Sequence, residues 1–127
     1  MLNSIQGRLI AWLMLWALLS LGTATIGLYV RPGDRWRSFW LMSGIWGLID
    51  GLIAWLAMHG ASQPPAALLP LLRLNTGLDV LYILVGMFLL SRNGPILRGF
   101  GLGVVVQGAF LLILDGYFWR VCARAIG

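Results

Sequence analysis

Four long apolar stretches alternate with three short polar ones along this chain. They run from about residue 9 to 30, 38 to 59, 71 to 90 and 99 to 121. Each is close to the roughly 20 residues that cross a hydrocarbon core as an α-helix. The breaks carry turn chemistry. Arg31-Pro32-Gly33 interrupts the first pair, and Ser91-Arg92-Asn93-Gly94-Pro95 interrupts the last. The middle connection, residues 61–72, holds Pro64, Pro65 and Pro70, which predicts no helix before about residue 71 and a segment lying on the membrane surface. The expected fold is all-α: a four-helix membrane bundle with antiparallel neighbours, one domain over residues 1–127, and both termini on one side.

Polar positions inside the spans follow helical spacing. In the third span Asn75, Asp79, Tyr82 and Gly86 stand at i, i+4, i+7 and i+11, so they share one face. A carboxylate in hydrocarbon is costly and is placed there when something faces it. This stripe is therefore expected to organise the chain, with the other helices covering it. The second span repeats the pattern with Ser43, Gly47, Asp50, Ala54 and Ala57, and the first with Ala17, Ser20, Ala24 and Gly27. The fourth carries Gln107, Leu111 and Asp115 after a glycine-rich start of Gly99, Gly101, Gly103 and Gly108. Small residues at such positions let helices approach closely in a membrane. Gly47, Gly86, Gly99, Gly103 and Gly108 are the candidate packing positions. The surplus on the fourth span predicts association of the chain with a second copy or with a membrane-complex partner.

Composition sharpens this picture. Of 127 residues 60% are apolar and 10% are charged, with a mean hydropathy of +0.88. A soluble domain carries about 25% charged residues. The net charge of +5 comes from nine arginines and no lysine. They cluster at span ends, where they serve as headgroup anchors, so the lipid bilayer is the expected partner and nucleic acid is not. Arg31, Arg35, Arg37, Arg92 and Arg98 lie on the side of the two short turns. Arg8, Arg73, Arg120, Arg124 and the amino terminus lie on the other. So even a balance is compatible with insertion in both orientations.

Candidate chemistry rests on the acidic residues. Asp50, Asp79 and Asp115 lie inside spans, with no arginine at comparable depth. Counting 1.5 Å per residue from the short turns puts Asp50 level with Asp79, Asn75 level with Asp115, and Tyr82 level with Gln107. The six residues form a stacked polar column. Two carboxyls close together in low dielectric cannot both be ionised without a cation, so they share a proton or bind something positive. No nucleophile motif, phosphate loop or metal-ligand cluster accompanies them, so no catalytic residue, metal or cofactor is expected and the chain reads as a non-enzyme. Cys122 stands alone, with no intramolecular disulfide, and the single His59 cannot supply two haem ligands.

Two functions fit. One is a small transporter or channel-like protein, acting as an oligomer, that moves a proton, a cation or a small polar solute. The other is a non-catalytic accessory or scaffold subunit whose polar column fixes helix register. A cavity touching Asp79 favours the first, and a dry core with every carboxyl paired favours the second.

The segment Leu74-Asn75-Thr76-Gly77-Leu78-Asp79-Val80-Leu81-Tyr82 with Gly86, then Gly99-Phe100-Gly101 and Gln107-Gly108-Ala109-Phe110-Leu111 with Asp115, resembles a family of small bacterial four-helix membrane proteins of unknown function. The resemblance covers the second half of the chain. It implies four helices in a bacterial cytoplasmic membrane and supplies no activity.

Overall fold

A computed structural model describes residues 4–30 and 33–126. The described residues form four helices: α1 (Ile5–Tyr29), α2 (Asp34–His59), α3 (Pro65–Leu90) and α4 (Pro95–Ile126). All four are long and apolar enough to cross a membrane. Among the described residues there is no strand. The Pro-Gly break expected after α1 includes Arg31 and Pro32, which lie outside the described residues.

The helices begin and end for local reasons. The Ser4 side chain caps α1 by accepting the Gly7 N–H at 2.9 Å. Gly94, at φ +105°, makes the tight turn into α4, and that left-handed conformation is strained for any residue with a Cβ. The proline-rich connection behaves differently from expectation. The helix starts at Pro65 rather than near residue 71. Pro64 is the cap and Pro65 opens the first turn, where a missing N–H costs nothing because that donor has no intrahelical partner. Pro70 sits inside the helix and forfeits the bond to the carbonyl four residues earlier, that of Ala66.

The outer surface is apolar: Leu15, Leu18, Leu48, Leu52, Leu81 and Leu84 are all more than half exposed. Such a belt is compatible with lipid and costly in water. Hydroxyls within it return to their own helix. Thr23 donates to the Leu19 carbonyl at 2.8 Å and Thr25 to that of Leu21 at 2.7 Å, which satisfies them where no water is present.

Packing centres on α4, not on α3 as the polar stripe suggested. α4 lies against α3 along one side and α2 along another, while α1 packs chiefly on α2. The reason is glycine. An added Cβ at Gly99 would collide with the Arg35 carbonyl oxygen of α2, and one at Gly103 would meet Met42 at 3.0 Å. Toward α3, a Cβ at Gly101 would come within 2.7 Å of the Gly86 carbonyl oxygen, and one at Gly108 within 2.9 Å of Ile83. Gly86 answers from α3 and would meet Val105 at 2.6 Å, and Gly47 on α2 would meet Ser20 at 3.1 Å. Gly99, Gly101, Gly103 and Gly108 of α4 are thus covered within the chain, and the surplus that suggested association through this helix is used inside the bundle.

Gly99→Ala is expected to destabilise the purified protein in detergent by about 1–3 kcal/mol, the usual cost of forcing bulk into a packed core. Gly116, on the same helix, has nothing within 4 Å of an added Cβ. Gly116→Ala should be neutral or stabilising by up to ~1 kcal/mol through helix propensity. Denaturation midpoints of the two variants check this, and equal midpoints would refute the close α2–α4 contact.

Candidate functional site

The same glycine contacts leave a gap. Among the described residues, α2 and α3 make no backbone approach to one another, although both lean on α4. A cavity of about 240 Å³ fills the space between them. Its inner end is closed by the Trp46 and Tyr82 rings, which meet across the gap at 5.0 Å between centroids. From there it runs toward the end of the bundle that carries the middle connection, where Gln6 and Gln63 line it. The Gln63 backbone N–H donates to Gln6 Oε1 at 2.9 Å and ties the connection to the start of α1.

Three helices each send one carboxyl into this cavity: Asp50 from α2, Asp79 from α3 and Asp115 from α4. The antiparallel run of α2 and α3 explains the meeting, because Trp46 faces Tyr82 and one helical turn further Asp50 faces Asp79. All three are buried. Asp79 and Asp115 are neighbours, and Asp50 lies close to both. Oδ2 of Asp50 and Oδ2 of Asp79 have no hydrogen-bond partner. Among the described residues, no three His, Cys, Asp or Glu side chains converge closely enough to hold a metal ion.

The predicted polar residues divide between two places. Asp50, Asn75, Asp79, Tyr82 and Asp115 line the cavity. Gln107 does not. It sits deeper toward the short turns, where its Oε1 accepts the Trp16 Nε1–H at 2.7 Å and its Nε2 donates to Ser20 Oγ at 3.3 Å. Trp16 also stacks on Phe110, with centroids 3.9 Å apart. The column is therefore an open acidic half and a closed amide half. Sequence reasoning missed Trp16, Gln6 and Gln63. Trp16 looked like one more apolar residue of a span, and only the polar stripe of α1 beside it, through Ala17 and Ser20, pointed inward. Cys122 is buried beside Phe118, Leu72 and Leu114 as an apolar residue, and His59 sits at the exposed end of α2, its Nδ1 2.9 Å from the Trp55 carbonyl oxygen.

The amide half can be weighed by a double-mutant cycle. Trp16→Phe keeps the stack on Phe110 and removes the donor, and Gln107→Met keeps length and removes the acceptor. The expected coupling is about 0.6 kcal/mol and at most ~1.7, the range for hydrogen bonds between membrane helices. Unfolding in mixed micelles measures it, and zero coupling would show that the bond is not formed.

No curated protein and no solved structure matches the chain. A family model does, from the middle of α1 to just past Asp115. On that match, which covers residues 12–116, the chain belongs to DUF6992, a family of unknown function.

Proposed function

We propose that the chain is a small transporter or channel-like protein of a bacterial inner membrane, carrying a proton, a cation or a small polar solute through the α2–α3 cavity. One observation carries this reading: three buried carboxyls from three helices face a cavity, with oxygens on Asp50 and Asp79 left unpartnered. A purely structural polar core would satisfy those oxygens, because an unsatisfied buried acceptor costs about 1–3 kcal/mol. No arginine lines the cavity among the described residues, so neutralisation comes from a proton or from a visiting cation. Acidic residues facing an open space at membrane depth are the usual chemistry of proton relays and cation paths.

A scaffold subunit of a membrane complex is the second reading. It is favoured by the amide half, where the Gln107 side chain is paired at both its oxygen and its nitrogen. The two readings part at the carboxyls. Asn keeps the shape of a protonated carboxyl and cannot titrate. In vesicles containing the purified protein and a pH-sensitive dye, an imposed pH gradient should decay faster than in protein-free vesicles. Asp79→Asn should return the decay to the protein-free rate with helical content unchanged. A folded Asp79→Asn variant that conducts like the parent would refute the transport reading and leave the scaffold.

A further inference from the structure

A proton or an inorganic ion does not need the space that this site provides. The cavity of about 240 Å³ exceeds the ~150 Å³ of an apolar cavity that holds benzene. Away from the carboxyls its walls are mostly hydrocarbon, from Leu9, Ile10 and Leu13 of α1 and Leu111 and Leu114 of α4. The carboxyls lie at its deep end beside the Trp46–Tyr82 pair. Asp50 and Asp79 are only 2% and 3% exposed, yet each keeps an Oδ2 without a partner. The metal alternative is weak on geometry, since no three ligating side chains among the described residues converge on one point. Negative charge, aromatic faces and an apolar chamber suit one ligand chemistry: a positive head on a hydrophobic body.

The mouth of the cavity adds a direction. Ile53 of α2 and Leu71 and Leu78 of α3 line the cavity, and Ile53 and Leu71 are each 52% exposed on the outer surface of the bundle. These residues belong to the belt that faces lipid. The end toward the middle connection is crossed instead by the Gln63–Gln6 hydrogen bond. The cavity lining thus reaches the lipid-facing surface between α2 and α3.

We propose that the α2–α3 cavity binds a small organic monocation, an ammonium-type head with an apolar body, which enters laterally from the bilayer between Ile53 and Leu78. The head lies against Asp50 and Asp79 with the Trp46 and Tyr82 faces beside it, and the body lies along the leucine walls. One positive charge offsets one negative charge of the cluster, which meets the electrostatic need without a metal. This inference names the ligand class of the site on which the transport reading rests.

The probe is benzyltrimethylammonium, and its control is neopentylbenzene, the neutral isostere with carbon in place of nitrogen. Calorimetric titration of the purified protein in detergent should show saturable binding of the cation. The neutral isostere should not compete. Asp79→Asn and Asp50→Asn should each weaken binding by about tenfold or more, which is ~1.4 kcal/mol or more. Ile53→Trp keeps every carboxyl and narrows the mouth at an exposed position, so it tests the site even where a carboxyl variant fails to fold, and it should abolish binding. Equal binding of the two probes would reduce the site to an apolar pocket and overturn the proposal, as would cation binding that survives Ile53→Trp. No cation binding, alongside Asp79-dependent decay of a pH gradient in vesicles, would overturn this proposal and leave the transport reading standing. Failure of both measurements would remove the two together.

Discussion

The closeness of α4 to its neighbours is the constraint on which everything else depends. In lipid, helix association draws little from the hydrophobic effect, since the surrounding tails are as apolar as leucine. Contact must come from backbones that pack without intervening side chains. Gly99 and Gly103 bring α4 onto α2, and Gly101 and Gly108 bring it onto α3. Both partners are held by one narrow helix at positions on two of its sides. With α4 wedged between them, α2 and α3 are kept apart, and α1, attached mainly to α2, walls one side of the space with Leu9, Ile10 and Leu13. The cavity is a result of where the glycines lie rather than of any residue that lines it.

The polar groups fall on the two sides of this wedge with opposite fates. Toward the short turns, where the helices are tightest, Gln107 finds Trp16 and Ser20 and its polarity is spent on register. Toward the other end α3 and α4 stay packed through Leu68, Leu72, Leu114 and Phe118, and the carboxyls meet the open space between α2 and α3. Helix contact alone thus separates a polar group that is paired from carboxyls that face open space, although both kinds lie on the same faces in the sequence.

Much of this was legible in the residues. Period and length gave four membrane-length helices, and depth counting put Asp50 opposite Asp79, because rise per residue is nearly constant in a helix. Other features were not legible. Counting along helices fixes depth but not lateral neighbours, so it could not tell that Gln107 turns to α1 while Asp115 turns to α3. The hub was misjudged because polarity is more conspicuous in a sequence than the absence of side chains. Pro65 and Pro70 read as helix breakers, yet Pro65 falls in the opening turn, where donors are unpaired in any case, and Pro70 is carried inside the helix at the loss of one bond.

Pro70 has a consequence for where the bilayer lies. The Ala66 carbonyl deprived of its donor is least costly where headgroups or water reach it, so the bilayer is best placed with this turn of α3 at its surface. The remainder, residues 71–90, spans about 30 Å at 1.5 Å per residue, the thickness of a hydrocarbon core. Asp79 lies nine residues beyond Pro70, or about 13 Å inward, close to the midplane. A positive charge that travels from that surface to Asp79 therefore crosses nearly half of the transmembrane voltage. At about 2.3 kcal/mol per charge per 100 mV for a full crossing, that amounts to roughly 1 kcal/mol, so on the transport reading proposed above the membrane voltage would act on the site with a sign set by which way the bundle is inserted.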